Sequence, residues 1–291
     1  MGAAACWGLG DWDQMKVYTK YLPENTYEGS LYRSVLALTN KNNDETDLSY
    51  IQNASLLIEQ TRDLLDPDLT SMASQSYERS YQAIIEAQVL SELEEIITYK
   101  QVPTKRDWLV ETWWKRLQGC ERSLEYWHRL LLVRTGIVLP KEKDIKPWLK
   151  FSSLCQKAGH LSLSQQILSS LLKRIQEESN ANNLLSNNKD YELCQYANLK
   201  YLYANGNRRE AIDGLKEFVN SDLMLKRNQC QQIKEQIAAN MNQNMSVGPA
   251  LNMQQLPAAF QINNIRDLQK RINELDTQLA KCYLKLGKLE K

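Results

Sequence analysis

Residues 3–13 read AAACWGLGDWD, and two incompatible structures could produce them. The core Gly8-Leu9-Gly10-Asp11 could open the catalytic loop of a phosphotransfer enzyme. It could equally be the turn between two packed helices, with a glycine supplying the backbone conformation that ends the first. A phosphotransfer loop needs a catalytic base and metal ligands a few residues further on. Here the continuation is Trp12-Asp13-Gln14-Met15, and nothing before it resembles a nucleotide-binding lobe.

Recurrence favours the turn. Four times a run of apolar and small residues reaches Gly plus a polar residue and then resumes: WGLG10-DW, LCQKAG159-HL, YLYANG206-NR and CYLKLG287-KL. Gly159 to Gly206 is a step of 47, and Gly206 to Gly287 is 81, which becomes roughly 40 once an insertion is removed. Periods of roughly 34 to 47 residues belong to helical hairpin repeats of the tetratricopeptide and HEAT kinds. The expectation is an all-α chain, an α-solenoid of tetratricopeptide/HEAT-like helical hairpin repeats, with Gly287 as one of its turns.

Composition agrees. Of 291 residues, 43% are hydrophobic and 24% charged, while Gly (11) and Pro (7) are sparse, as long helices require. Lys plus Arg (36) balances Asp plus Glu (35), so no global field draws nucleic acid or an anionic membrane, and any anion site must be local. The six cysteines carry no C-x-x-C pair, which predicts buried free thiols in a reducing compartment. No apolar run approaches the roughly 18 to 20 residues of a membrane span. A cytosolic protein is expected.

Within the array, residues 67–100 predict a helix beginning at Asp66-Pro67, as one long helix or two joined by a kink. Thr104 with Asp107 forms a weak acidic capping box. The stripe that follows, Leu109, Trp113, Leu117, Cys120, Leu124, Trp127 and Leu131, is spaced 4, 4, 3, 4, 3, 4. That reads as one helix, with Trp108 and Trp114 touching further neighbours. Asp144 is expected to cap the next helix, with Pro147 in its first turn. Residues 227–264, rich in Gln, Asn and Met and containing Pro249 and Pro257, predict an insertion that is in part a disordered loop, and 179–189 another surface loop.

Chemistry is sparse. His128 and His160 are the only histidines, so a Cys-His or Ser-His-Asp arrangement would need one of them, and packing or capping is the stronger reading. No zinc-type spacing and no P-loop occurs. One basic group stands out: Lys141, Lys143, Lys146, Lys150 and Lys157, with Lys100, Lys105 and Arg106 ending the earlier helix. It could bind a polyanion, or form a solvated rim balanced by Glu142 and Asp144.

The words AAACWGLGDWDQMKVYT, EGSLYRSVLAL, RDLLDPDLTSMASQSYERSY, LSELEEIITYK, WWKRLQGCERSLEYW and WLKFSSLCQKAGHL, in this order, resemble the FAT region of the TOR (target of rapamycin) serine/threonine kinases, of the PI3K-related kinase family. The resemblance is dense over 3–172, weaker over 191–222, and returns at CYLKLGKLE; the Gln/Asn-rich insertion departs from it. It implies a partial FAT-type helical repeat domain over 1–291, a fragment or truncated copy. Such a scaffold wraps around and clamps a kinase domain C-terminal to it, and has no kinase activity of its own. The implied partners are the TOR kinase domain and TOR complex subunits in nutrient and growth signalling, with no nucleic acid. The implied location is cytoplasmic, with peripheral attachment to endomembranes through the complex. The resemblance also implies inositol hexakisphosphate held between basic residues, with Lys100, Lys150 and Lys157 as the matching candidates. Two readings stand beside it: an independent repeat adaptor binding peptides or proteins, and an enzyme using Asp11 or a histidine.

Overall fold

A computed structural model describes residues 2–39, 49–182, 189–245 and 262–289, and among these there is helix but no strand. The chain divides into two compact units, residues 1–174 and 175–291, where the sequence predicts a single array.

In the first unit α1 (Gly2–Leu9) and α2 (Trp12–Lys20) form a hairpin around Gly10, whose φ of 74° is the left-handed conformation that glycine adopts without penalty. Asp11 Oδ1 accepts from the Gln14 N–H at 3.1 Å, which caps α2. The opening stretch is therefore an interhelical turn. The chain continues through α3 (Tyr27–Thr39), α4 (Ser49–Ala73) and α5 (Tyr77–Gln101), each packed on the one before. Buried hydroxyls help α3 meet α4, with Ser30 Oγ 2.7 Å from Thr61 Oγ1.

The predicted start at Asp66-Pro67 is wrong. Pro67 lies inside α4, and the break falls at residues 74–76, with Ser76 in extended backbone before α5. Proline removes the hydrogen bond to the Asp63 carbonyl. Both residues face water, which takes up that carbonyl, and the earlier turns of α4 are held by Ile51, Ala54, Ile58 and Leu65 in the core.

The Trp-rich stretch is also two helices. A 3-10 turn (Pro103–Lys105) leads into α6 (Arg106–Gly119), and α7 (Leu124–Ile137) follows. Lys105, not Thr104, occupies the N-cap, without a capping side chain. At the break the Glu121 N–H donates to Tyr81 Oη at 2.7 Å, and Trp127 Nε1 donates to the Glu121 carbonyl at 3.0 Å. These partners satisfy the backbone that the helix would have satisfied. Leu109, Trp113, Leu117, Trp127 and Leu131 are buried as the stripe predicts, whereas Trp108 is 61% exposed rather than packed.

After a 3-10 turn (Lys141–Lys143) comes α8 (Ile145–Lys157), which packs on α7 and begins at Asp144, although that side chain makes no capping hydrogen bond. Gly159, φ 84°, turns the chain into α9 (Leu161–Asn182), whose last turns belong to the second unit.

In the second unit α10 (Lys189–Ala204) and α11 (Arg208–Glu217) form a hairpin at Gly206, φ 95°. A π-helical segment (Phe218–Leu223) joins α11 to α12 (Met224–Met245), and α13 (Ile262–Leu289) packs along α11 and α12. Leu215, Val219 and Leu223 meet Leu275, Leu279 and Cys282 in its core. Both expected loops are helical at their described edges. Residues 227–245 of the expected loop are helical, as are 262–264, and Pro249 and Pro257 lie outside the described residues. Of the loop expected at 179–189, residues 179–182 continue α9 and Lys189 begins α10, while 183–188 lie outside the described residues. Gly287 is not a turn, because α13 runs through it; with ordinary helical backbone it costs about 1 kcal/mol against alanine, which the packed turns before it tolerate.

Candidate functional site

Helix α8 separates its chemistry by face. Ile145, Trp148, Phe151, Ser152 and Cys155 are buried, while Lys146, Lys150 and Lys157 are exposed at spacings of 4 and 7, which place them on one stripe. Exposed Lys143 precedes them, and the Lys141 ammonium lies 4.6 Å from the centroid of the Trp148 ring. Two of the three predicted site residues, Lys150 and Lys157, thus share a face open to solvent. The third does not join them on that helix: Lys100 Nζ, at the end of α5, donates to the Leu38 carbonyl and stands 5.8 Å from the Tyr50 ring. It ties α5 to the end of α3.

A second basic group appears only in three dimensions. In the second unit the Tyr203 ring has the Arg208 guanidinium at 5.6 Å and the Lys285 ammonium at 5.4 Å, and Lys200 lies 5.6 Å from the Tyr196 ring. These residues, apart from Arg208, line a cavity of about 10 Å³, so a ligand would lie over the cluster rather than inside it. Sequence reasoning misses this group because Lys285 is 82 residues from Tyr203 (285 − 203). The available sign was the alternation of aromatic and basic residues in YANLKYLYANGNRR and CYLKLGK.

Two buried ion pairs organise the interior. In the first unit Arg134 of α7 binds Glu92 of α5 through two contacts of 2.7 Å, both side chains essentially excluded from water. Trp113 of α6 stacks on this guanidinium at 5.6 Å, and its indole N–H donates to Glu95, which also pairs with Arg116 at 2.7 Å. In the second unit Glu192 of α10 receives Arg271 of α13 at 2.6 Å and Lys226 of α12 at 3.3 Å. Charges this deeply buried are tolerable only when paired, so each pair fixes which helices meet.

The remaining candidates have structural partners. His128 stacks on Phe151, with centroids 5.6 Å apart and planes 11° from parallel; burial, helped by the Lys141 ammonium, lowers its pKa below the usual imidazole value. The His160 N–H donates to the Cys155 carbonyl at 2.9 Å in the Gly159 turn. Among the described residues, no three His, Cys, Asp or Glu side chains are placed to hold a metal ion, and no helix is long and apolar enough to cross a membrane.

Comparison with known proteins gives a consistent result. The chain matches the FAT domain family over residues 1–291. It is 44% identical over 221 residues to the serine/threonine-protein kinase mTor of Drosophila melanogaster, covering 76% of this chain and 8% of that protein. It is 35% identical over 223 residues to the serine/threonine-protein kinase TOR2 of Saccharomyces cerevisiae, and 36% over 223 residues to the target of rapamycin homolog of Caenorhabditis elegans, with the same two coverages. The chain thus spans about 8% of the length of these relatives.

Proposed function

This chain belongs to the FAT domain family, and from that premise we propose that it is a non-catalytic helical scaffold for a TOR-type kinase. It clamps the kinase domain and supports assembly of the complex. The observation that carries this reading is the match of the full chain to one family, together with its similarity to TOR kinases from fly, yeast and worm. The geometry is of a matching kind: helical hairpins joined by left-handed glycines, with the strongest charges committed to holding helices together. Stacked hairpins bury their apolar stripes against neighbours and offer side chains along their surfaces to partners. The decisive experiment co-expresses the chain with a separately tagged TOR kinase domain. Co-purification in equal amounts supports the scaffold, and separate elution of two folded proteins refutes it. Kinase activity in the chain alone that vanishes in Asp11→Asn would support the enzyme reading instead.

The lysine stripe of α8 supports a second element of the proposal, a bound polyanion of the inositol hexakisphosphate class. Lys150 and Lys157 contribute on α8, where their point charges suit phosphate groups. Lys100, the third candidate, adds its charge from the end of α5, where one of its three N–H donors is taken by the Leu38 carbonyl. Inositol hexakisphosphate is expected to raise the melting temperature, and Lys150→Glu with Lys157→Glu to abolish that rise. No rise in the unmodified chain would remove this part of the proposal.

A further inference from the structure

Helices α1, α2, α3 and α7 of the first unit border a cavity of about 440 Å³. That volume is in the range of small-molecule sites. Tyr18 of α2, Tyr21 just after it and Tyr32 of α3 supply an aromatic wall, with Tyr21 82% exposed and Tyr18 46%. Trp7 meets the Tyr32 ring edge-on, with centroids 6.1 Å apart and planes at 88°, which holds that ring in place.

Two opposite charges complete the lining. Glu28 lies one turn before Tyr32 on the same face of α3, is exposed, and pairs with no described cation. Arg129 of α7 gives one guanidinium N–H to Glu86 at 3.2 Å. A guanidinium has five such donors, so others stay available on the cavity side. The Tyr32 hydroxyl feels both charges: burial raises its pKa most, Glu28 adds to the rise and Arg129 opposes it. It is therefore protonated at neutral pH and able to donate.

We propose that this cavity binds a zwitterion of the phosphocholine class, with its quaternary ammonium against the three tyrosines and Glu28 and its phosphate on Arg129. A quaternary ammonium has no N–H to satisfy and is weakly hydrated, so aromatic rings and one carboxylate are enough to replace its water. A primary ammonium would bring three donors to walls that are mostly carbon. A bare cation would also meet Arg129 as a like charge, and a bare anion would meet Glu28. A ligand that carries both charges suits both ends. This site is independent of the scaffold reading, since it uses neither the lysine stripe of α8 nor a kinase partner.

Calorimetric titration of the full chain with phosphocholine is the test. Saturable binding is expected, weakened roughly two- to thirtyfold in Tyr21→Ala and in Glu28→Gln, the worth of one aromatic or charged contact to a bound cation. Both residues are exposed, so each variant should keep the melting temperature of the unmodified chain. Choline alone and inorganic phosphate alone should each bind about tenfold more weakly than phosphocholine or worse. No binding, unchanged affinity in both variants, or choline bound as tightly as phosphocholine overturns the proposal. Vesicles distinguish the two sources of the headgroup. Sedimentation with dioleoyl phosphatidylcholine vesicles, and not with dioleoyl phosphatidylglycerol vesicles, assigns it to a lipid; free phosphocholine bound without sedimentation assigns it to a soluble ligand.

Discussion

Arg134 shows how much one side chain can decide. It joins α7 to α5 through Glu92 and lies against Trp113 of α6 in a site closed to water. Removing one partner leaves the other charge buried and unpaired, so Arg134→Met or Glu92→Gln is expected to cost about 3–5 kcal/mol. Replacing both residues with methionine should cost much less, because no orphan charge remains. Urea unfolding of the two single variants and the double variant provides the check; equal losses in all three would contradict it. Little of this was legible in the sequence. Glu92 and Arg134 look like ordinary surface charges 42 positions apart, and only burial gives them their weight. The lysines divide in the same way. Lys150 and Lys157 declare their shared face through helical spacing, whereas the position of Lys100 depends on the Leu38 carbonyl, which sequence spacing cannot show.

Among the helices, the two glycines Gly206 and Gly287 make the clearest comparison. Their sequence settings are nearly the same, an apolar run followed by Gly and a polar residue. Gly206 has a φ of 95°, whereas Gly287 continues α13 with open space where a Cβ would lie. Gly206→Ala should therefore destabilise by about 1–2 kcal/mol, since a side chain clashes in left-handed backbone. Gly287→Ala should be neutral or stabilise by up to about 1 kcal/mol. Thermal melts of the two variants decide it, and a shift of the same sign in both would contradict the assignment. Helix interiors and buried stripes were legible because periodicity records which face is apolar. Breaks were less so. The stripe from Leu109 to Leu131 keeps its spacing across the α6–α7 break, and what interrupts the helix is a tyrosine hydroxyl from α5, 40 positions away. Pro67 gives the converse case: a residue that usually marks a boundary lies inside α4, because that face is wet.

Across the whole molecule, the cysteines report how completely the apolar stripes close. Cys6, Cys155, Cys194, Cys230 and Cys282 are buried thiols outside any disulfide, and Cys120 is partly buried. Burial pushes Cys155 and Cys282 up to about 11 and Cys194 up to about 12. Thiolate is the reactive form, so a brief iodoacetamide pulse at pH 7.5 should modify at most Cys120 in the folded chain, and all six in urea. Intact mass measures this, and several adducts on the folded chain would contradict the burial. The sequence by itself determined the all-α class, the hairpins at Gly10, Gly159 and Gly206, the buried stripes and the family, because each is written in local periodicity or in consecutive words. The tertiary structure decided the division into two units, the ends of α4 and α6, the Tyr203 cluster and the buried Glu92–Arg134 pair. Each of these depends on groups tens of residues apart meeting in a low-dielectric interior or across a helix face. One-dimensional spacing does not encode that energy.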